Sequence, residues 1–317
     1  MDCARMAENV IIIGSGPAGL SAAIYTARED FSPLLIGGAI SGGQLMLTTT
    51  VENMPGFPDG VQGPELMAMM RKQAERFGTR FIDDDVTGVD FSVRPFRVKT
   101  ASKEYETHTV IIATGASALT LGLPSEGKFF GHGVSTCGTC DGPFFKNKAV
   151  IVVGGGDTAM EDSMFLARFC TSVTIVHRRD AFRASKVMQK KVFSNPKIRV
   201  IWNTEVVDIL GNENGSVSAV KLKGADGTVK EMPTDGVFMA IGYKPNTEFL
   251  KGKLKLDEQG YIVTRDEVLT DIGGVYIAGD NADRFYRQAG TASSSGIKAA
   301  LRVREYIQGL SESGSKK

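Results

Sequence analysis

The stretch Val10-Ile11-Ile12-Ile13-Gly14-Ser15-Gly16-Pro17-Ala18-Gly19 decides the fold of this chain. Four consecutive apolar residues are typical of a buried parallel β-strand, and the glycines after them permit a tight turn into a helix. A Gly-x-Gly-x-x-Gly turn at this place brings the backbone and the positive helix N-terminus close to a bound pyrophosphate. The sequence therefore predicts a dinucleotide-binding βαβ unit near its start.

A second copy of this plan begins at Val150-Ile151-Val152-Val153 and continues into Gly154-Gly155-Gly156-Asp157-Thr158-Ala159. Three further apolar strands end at Gly115, Gly242 and Gly279. Ligands of open α/β sheets bind at the carboxyl ends of the strands. We therefore predict an α/β protein with two Rossmann-like dinucleotide-binding domains.

Two short segments of small, Pro- and Gly-bearing composition separate these units. One lies between Gly115 and Gly127, and the other is Tyr243-Lys244-Pro245-Asn246-Thr247. Such segments are typical of domain boundaries. We predict a discontinuous first domain, residues 1–117 and 248–317, with a second domain, residues 118–247, inserted into it.

The bulk composition excludes several classes of protein. With 317 residues, 42% of them hydrophobic and 23% charged, the chain has the composition of a globular protein of about two domains. A net charge of +1 does not favour a nucleic acid or an anionic membrane as partner. The N-terminus lacks a secretion pattern and no apolar run approaches a membrane span, so we expect a cytoplasmic protein.

The pair Cys137 and Cys140 forms a Cys-x-x-Cys motif shortly before the second glycine loop. In a reducing compartment such a pair is catalytic or metal-binding rather than structural. A zinc site needs further ligands, but Cys3 and Cys170 are isolated, and the Asp83-Asp84-Asp85 run reads as a solvated loop. We therefore predict a redox dithiol, and we expect Cys170 to be a core residue.

Asp141 directly follows the dithiol. A carboxylic acid at this position can supply the proton that a departing thiolate needs. The alternative is a helix-capping aspartate in front of Gly142-Pro143. The sequence leaves both interpretations open.

A basic cluster follows the second strand of the second unit. It consists of His177, Arg178, Arg179 and Arg183. Cations at the ribose end of this strand fit a 2′-phosphate, which favours NADPH over NADH. A solvated basic turn and a docking patch for an acidic protein are the alternatives.

Taken in this order, the motifs closely resemble those of the low-molecular-weight thioredoxin reductases, flavoproteins of bacteria, archaea, fungi and plants. The resemblance extends over nearly the whole chain. The segments that carry it are Gly14–Gly19, Gly42–Leu45, Val51–Gly56, Ala113–Gly115, Cys137–Gly142, Gly154–Ala159, His177–Arg183, Gly279–Asp280 and Tyr286–Ala289.

The resemblance implies a homodimer with FAD in the first domain, NADPH in the inserted domain and thioredoxin as protein substrate. It implies that Cys140 is the sulfur next to the flavin, that Cys137 attacks thioredoxin and that Asp141 donates the proton. The FAD residues would be Gly14, Ser15, Gly16, Pro17, Ala18, Gly19, Gln44, Asn53, Ala113, Thr114, Gly115, Gly279, Asp280, Arg287, Gln288 and Ala289. The NADPH residues would be Gly154, Gly156, Asp157, Thr158, Ala159, His177, Arg178, Arg179 and Arg183.

The predicted activity is transfer of electrons from NADPH to FAD, then to the Cys137–Cys140 disulfide and then to thioredoxin. Because the dithiol and the nicotinamide site share the inserted domain, we expect that domain to swing about residues 116–123 and 243–247. Gly138 stands where the family often has alanine, and we expect little effect from that difference. The alternatives are a dithiol oxidase without NADPH, a reductase with another donor, and a flavin-binding sensor.

Overall fold

The computed structural model describes residues 7–38 and 41–314, with side chains described as far as residue 310. Two compact units divide the chain. Unit 1 contains the described residues up to Ser117 together with those from Lys244 onward, and unit 2 is Ala118–Tyr243. The second division therefore lies four residues before the predicted boundary at residue 247.

Helices and strands of the first segment follow the glycine-loop plan. They are β1 (Glu8–Ile13), α1 (Pro17–Arg28), β2 (Leu34–Ile36), β3 (Thr50–Val51), β4 (Val61–Gln62), α2 (Gly63–Arg76), β5 (Arg80–Ile82), β6 (Val86–Asp90), β7 (Phe96–Thr100), β8 (Glu104–Ile112) and β9 (Ala116–Ala118). A 3₁₀ helix spans Gly43–Leu47.

Unit 2 repeats that plan and adds an antiparallel sheet. Its elements are α3 (Pro124–Phe129), β10 (Val134–Ser135), α4 (Gly138–Asp141), β11 (Ala149–Gly154), α5 (Asp157–Leu166), β12 (Ser172–Val176), α6 (Lys186–Phe193), β13 (Ile198–Ile201), β14 (Thr204–Gly211), β15 (Val217–Gly224), β16 (Val229–Pro233) and β17 (Gly236–Ala240). A 3₁₀ turn spans Gly142–Phe145.

The chain then returns to unit 1 through β18 (Tyr243–Pro245), a 3₁₀ turn (Glu248–Leu250), β19 (Val275–Ile277) and α7 (Ala289–Gly314). The main sheet of unit 1 has the order β5-β2-β1-β8-β7-β6, with β19 also paired to β8. The long strand β8 accommodates both neighbours on one side because β7 pairs with its first half and β19 with its second half.

Each unit places its glycine loop where the strand order reverses. In unit 1, β1 lies between the parallel strands β2 and β8. In unit 2, whose parallel sheet has the order β10-β17-β11-β12-β13, β11 lies between β12 and β17. The crevice at such a reversal is the usual ligand site of an open α/β sheet, so the topology supports the Rossmann-like prediction.

The apolar strands pack on both faces of their sheets. Val10 and Ile12 contact the core below helices α1 and α7, whereas Ile11 and Ile13 contact the core on the opposite face. Alternate residues of β11 divide between two cores in the same way. Continuous apolar runs are therefore required here, because neither face of the strand contacts water.

Candidate functional site

The first glycine loop, Gly14–Gly19, is packed tightly on one side and open on the other. A Cβ on Gly14 would lie 2.3 Å from the carbonyl oxygen of Ala113, and one on Gly19 would lie 1.9 Å from the carbonyl oxygen of Gly14. A Cβ on Gly16 would meet no protein atom within 4 Å. The open side faces the start of α1 at Pro17, where backbone N–H groups favour an anion.

Ser15 connects this loop to the segment that follows β2. Its hydroxyl donates to the carbonyl oxygen of Gly37 at 3.0 Å and accepts from the backbone N–H of Gly42 at 2.8 Å. These bonds bring the Gly42–Leu45 motif beside the glycine loop. Gln44, in the 3₁₀ helix of that motif, is exposed.

A buried carboxylate lies at the end of β19. Asp280 Oδ1 has no hydrogen-bond partner in the part of the chain that the structure describes, and the same holds for Asn281 Oδ1. Burial, reinforced by the charge of Asp283 and opposed by Arg287, raises the pKa of Asp280 to about 7. A buried acceptor of this kind calls for a donor from a ligand.

The neighbouring residues hold this strand end in place. Asn281 Nδ2 donates to the carbonyl oxygen of Ile112 at 2.9 Å, and the backbone N–H of Gly279 donates to Ser295 Oγ at 2.8 Å. The Ala113-Thr114-Gly115 motif directly follows β8, so it lies at the same sheet edge as Asp280.

Asn53 and Gln288, 235 residues apart in the chain, meet in unit 1. The side-chain amide of Asn53 donates to Oε1 of Gln288 at 3.1 Å, and Nε2 of Gln288 donates to the carbonyl oxygen of Tyr286. Arg287 has a φ of +48°, so the chain turns sharply before α7 begins at Ala289. The structure thereby joins two of the predicted FAD segments.

The dithiol of unit 2 is oxidised to a disulfide between Cys137 and Cys140. Cys137 caps the short helix α4, because its Sγ accepts a hydrogen bond from the backbone N–H of Cys140 at 3.1 Å. Its own backbone N–H donates to Ser135 Oγ at 3.0 Å. Cys170 lies elsewhere in the core as predicted, and burial raises the pKa of its thiol to about 11.

Asp141 is the last residue of α4 and also occupies the N-cap position of the 3₁₀ turn Gly142–Phe145, as the sequence alternative has it, but its side chain makes no capping hydrogen bond there. Burial raises the pKa of its carboxyl group, and a hydrogen bond with Ser135 partly opposes the shift. A carboxyl group with a raised pKa retains its proton closer to neutral pH. Asp141 therefore suits the proton-donor role.

A cavity of about 620 Å³ lies at the carboxyl edge of the parallel sheet in unit 2. Four kinds of residue line it: the second glycine loop, the basic cluster, the predicted strand end at Gly242, and two segments that no motif indicated. The last group comprises Leu119, Thr120, Leu121, Leu123, Thr204, Glu205, Val206 and Val207. Sequence reasoning missed these because apolar loop residues and an ordinary strand start carry no signature.

Arg178 and Arg183 line this cavity and are exposed, whereas Arg179 is exposed outside its lining. Within residues 7–38 and 41–314, no carboxylate forms an ion pair with any of the three. Unpaired guanidinium groups at the rim of a nucleotide cavity fit a phosphate.

Backbone hydrogen bonds join the basic cluster to the second glycine loop. The carbonyl oxygen of Gly155 accepts from the N–H groups of Arg183 and Ala184 at 2.8 and 3.2 Å. Asp157, a predicted NADPH residue at the start of α5, accepts from the backbone N–H of Ser185 at 2.9 Å. Its carboxylate therefore holds the basic segment in place.

His177 is buried and packs against the same loop. A Cβ on Gly155 would lie 2.3 Å from Cε1 of the His177 ring. Its Nε2 lies 3.1 Å from the carbonyl oxygen of Ala181. Burial lowers the pKa of the imidazole, and the nearby arginines lower it further, so both effects favour the uncharged ring. Although it lines the cavity, it adds no positive charge for a phosphate there.

The structure adds a contact at Gly138, where the sequence comparison led us to expect little effect. A Cβ at this position would lie 2.5 Å from Oδ1 of Asp162 on α5, so the carboxyl group of Asp162 would have to shift to admit a methyl group. The glycine leaves room for a carboxylate behind the redox turn. No sequence signal indicated this contact, because Asp162 reads as an ordinary residue of an amphipathic helix.

The described part of the chain offers neither a metal site nor a membrane span. The side chains that the structure describes include no group of three or more metal-ligating residues. Asp83 accepts from Ser41, while Asp84 accepts from Ser102, so these carboxylates face different partners. No helix in the described ranges is long and apolar enough to cross a membrane.

Comparison with known proteins extends the pattern to the whole chain. Residues 8–296 match the family described as pyridine nucleotide-disulphide oxidoreductase. A thioredoxin reductase of Streptomyces coelicolor is 50% identical over 309 residues, covering 96% of this chain and 95% of that protein. One of Rickettsia bellii is 50% identical over 307 residues, covering 96% of this chain and 99% of that protein.

Solved structures give the same result. The crystal structure of thioredoxin reductase from Streptococcus pyogenes has a TM-score of 0.90 and 39% identity, covering 95% of this chain and 98% of that one. Thioredoxin reductase from Giardia duodenalis has a TM-score of 0.90 and 38% identity, with the same coverage. The likeness thus includes the fold as well as the motifs.

Proposed function

Because the chain belongs to the low-molecular-weight thioredoxin reductases of the pyridine nucleotide-disulphide oxidoreductase family, we propose that it passes electrons from NADPH through FAD and the Cys137–Cys140 disulfide to oxidised thioredoxin. The observation that carries the proposal is the Cys137–Cys140 disulfide in the unit that also contains the arginine-rimmed nucleotide cavity. A disulfide in such a place has a redox use rather than a structural one.

Unit 1 fits FAD. Its open glycine loop at Gly16 leaves room for a pyrophosphate beside the N-terminus of α1, and Asp280 Oδ1 is an acceptor without a protein donor. A hydroxyl group of the ribityl chain would supply that donor. We therefore assign residues 1–117 and 248–317 to the FAD domain, with the predicted FAD residues of that domain as its contacts.

Unit 2 fits NADPH. Its cavity offers an open position at Gly156 for the pyrophosphate and unpaired guanidinium groups at Arg178 and Arg183 for a 2′-phosphate. The carbonyl oxygen of Gly155 and the carboxylate of Asp157 hold the basic segment against the glycine loop. We assign residues 118–247 to the NADPH domain, with direct contacts from the glycine loop, Thr158 and the three arginines. Bound together, the two cofactors supply a hydride donor and a carrier of two electrons.

Cys137 and Cys140 have different roles in the transfer of electrons to thioredoxin. Reduction by two electrons breaks the Cys137–Cys140 bond and requires protons at the sulfurs. The N–H of Cys140 that donates to Cys137 Sγ stabilises negative charge there, which supports Cys137 as the thiolate that attacks thioredoxin. Attack of Cys137 breaks the thioredoxin disulfide, releases one thioredoxin thiolate and forms a mixed disulfide. Attack of Cys140 on Cys137 Sγ then breaks the mixed disulfide, forms the Cys137–Cys140 bond again and releases the second thioredoxin thiolate, and both thiolates take up protons.

Asp141 is the proton donor in this proposal. Since its pKa is raised by burial, a proton is available at this carboxyl group when a thiolate of the pair departs. The proposal also includes a homodimer that works in the cytoplasm and binds thioredoxin but neither nucleic acid nor membrane. A sedimentation measurement of the FAD-loaded protein tests the dimer.

The decisive experiment is anaerobic reduction of a thioredoxin disulfide by the FAD-loaded protein, with NADPH and NADH compared. We expect fast turnover with NADPH only. The variant Cys140→Ser should keep the reduction of FAD by NADPH and lose thioredoxin reduction. Thioredoxin turnover in that variant would remove Cys140 from the pathway, and equal rates with both donors would contradict the assignment of the arginines.

The variant Arg178→Ala isolates the donor assignment. Loss of a charge-assisted hydrogen bond to a phosphate costs about 1.5–3 kcal/mol, so the KM for NADPH should rise roughly 10- to 150-fold. The KM for NADH should stay the same, because NADH has no 2′-phosphate. A parallel rise of both values would show that Arg178 supports the cavity rather than the phosphate.

A further inference from the structure

A buried carboxylate lies directly behind the redox turn. Asp162, on α5, is only 9% exposed. The position that a Cβ of Gly138 would take is 2.5 Å from Oδ1 and 2.8 Å from Cγ of Asp162. The carboxyl group of Asp162 therefore contacts the first residue of α4, between the two cysteines in the sequence.

Burial of an ionised carboxyl group at this position is unfavourable in free energy. Taking an ionised carboxyl group out of water costs several kcal/mol unless other interactions offset it, and an apolar side chain on α5 would fill the same volume without that cost. The contact with Gly138 puts this group at the dithiol rather than elsewhere in the core.

The other ionisable groups around α4 are few. Two elements pack against it within unit 2, α5 and the 3₁₀ turn 142–145, and that turn contains no ionisable side chain. Helix α5 contains three carboxylates. Asp157 accepts a hydrogen bond from the backbone N–H of Ser185, Glu161 is exposed, and Asp162 is buried. These two elements present carboxylates, and no cation, to the redox turn. Helix α6, which packs on α5, contains Lys186, Lys190 and Lys191, and all three are exposed.

Two more ionisable groups belong to the same surroundings. Asp141, on α4 itself, is half-buried, and desolvation raises the pKa of its carboxyl group. The phenol of Tyr243 donates a hydrogen bond of 2.7 Å to the carbonyl oxygen of Thr136, the residue before Cys137. Neither group supplies positive charge. The backbone N–H of Cys140 stabilises negative charge at Cys137 Sγ, and a carboxylate at Asp162 acts against that stabilisation.

We propose that Asp162 is a second carboxylate of the redox site, which seats the Cys137–Cys140 turn through Gly138 and governs proton uptake when the disulfide is reduced. The inference rests on the proposed function and adds a positioning residue to it. Two electrons from NADPH break the S–S bond. Uptake of one proton gives one thiol and one thiolate, and uptake of a second proton gives two thiols.

The charge of Asp162 sets the pH at which that second proton is lost. A carboxylate beside the turn disfavours the thiolate, because like charges repel more strongly in a poorly solvated site. The thiol of Cys137 then keeps its proton to higher pH than it would next to a neutral amide. The residue acts through the turn and does not itself react.

The test is the pH dependence of cysteine alkylation in the full-length, FAD-loaded protein. The enzyme is reduced with dithiothreitol, freed of reductant, and treated with iodoacetamide at a series of pH values while modification of Cys137 is followed by mass spectrometry. In Asp162→Asn, which keeps the shape and removes the charge, the midpoint should fall by about one pH unit. A purely structural role would change stability without moving this midpoint.

Glu161→Gln is the matched control. It makes the same change of charge one residue earlier on α5, at an exposed position, so its midpoint should equal that of the wild type. An unmoved midpoint in Asp162→Asn, or an equal shift in both variants, overturns the proposal. The assay uses neither NADPH nor thioredoxin, so its failure is distinct from failure of the proposed function, which wild-type turnover reports.

A second measurement tests the packing of Asp162 against Gly138 and does not depend on titration. Gly138→Ala should lower the Tm of the wild type because the new methyl group overlaps the carboxyl group of Asp162. In the Asp162→Ala background the same substitution should cost less than half as much, since the overlapping atoms are gone. Equal losses of Tm in the two backgrounds would show that Asp162 does not seat the turn.

Discussion

Asp280→Asn should stabilise the FAD-free protein at alkaline pH and weaken its affinity for FAD. Asp280 is buried at the end of β19, and its Oδ1 lacks a partner within the described structure. Without FAD, no hydrogen bond to Oδ1 offsets the desolvation of the ionised Asp280 carboxyl group within the described structure. With FAD, a hydroxyl donor would stabilise the carboxylate. One substitution therefore has opposite effects on the two forms.

The magnitude follows from the pKa. Burial raises the pKa of Asp280 from 3.8 to about 7, and at 1.36 kcal/mol per pKa unit this corresponds to about 4 kcal/mol. Between these values the folded protein holds a proton that the unfolded chain has released, so the free energy of unfolding falls as the pH rises. The loss is complete above about pH 7 and absent below pH 3.8.

Asparagine cannot ionise, so the FAD-free variant should lack this pH dependence. Its free energy of unfolding at pH 9 should exceed that of the wild type by up to about 4 kcal/mol, and the difference should shrink towards pH 4. Loss of a hydrogen bond to a charged acceptor costs about 1.5–3 kcal/mol, so FAD affinity at pH 9 should fall roughly 10- to 150-fold.

Urea unfolding of the FAD-free protein from pH 4.5 to 9 measures the first effect, and quenching of flavin fluorescence on binding measures the second. Asp271→Asn is the control, because Asp271 belongs to the same unit and its side chain is 74% exposed. It should change neither quantity. If the free energies of unfolding of the wild type and Asp280→Asn depend on pH in the same way, ionisation of Asp280 is not the cause of the loss of stability at alkaline pH.

Two further predictions concern the glycine loop and the proton donor. Gly14→Ala should destabilise unit 1 by more than about 2 kcal/mol, because φ is +112° and the Cβ would lie 2.3 Å from the carbonyl oxygen of Ala113. Gly16→Ala should leave the urea midpoint unchanged and weaken FAD binding, so equal midpoints for the two variants would contradict this account of the loop. Asp141→Asn should slow thioredoxin reduction about 100-fold and leave the reduction of FAD by NADPH intact, as stopped-flow absorbance can measure; unchanged turnover would remove Asp141 from the proton path.

Much of the site could be predicted because its signals are local. The apolar runs before Gly14 and Gly154 indicate buried strands, and the glycines indicate turns whose backbone must approach other groups closely. The spacing of Cys137 and Cys140 alone allows a disulfide across one turn, and the structure has that disulfide. Each of these features depends on a few neighbouring residues, so folding adds little information to it.

Contacts between distant segments could not be predicted in this way. The hydrogen bond between Asn53 and Gln288 joins residues 235 positions apart, and the contact of His177 with Gly155 depends on how β12 returns beside the loop. The sequence motif contains His177 among the basic residues, yet burial lowers the pKa of its ring and leaves the positive charge to the arginines.

The sequence by itself determined the Rossmann-like plan, the dithiol and the cationic segment, because periodicity, glycine turns and residue spacing are properties of short stretches. Only the tertiary structure decided the protonation of Asp280 and the place of Asp162 behind Gly138. Both depend on burial and on neighbours from other strands and helices. Desolvation and packing arise only when those elements assemble, so no local pattern contains them.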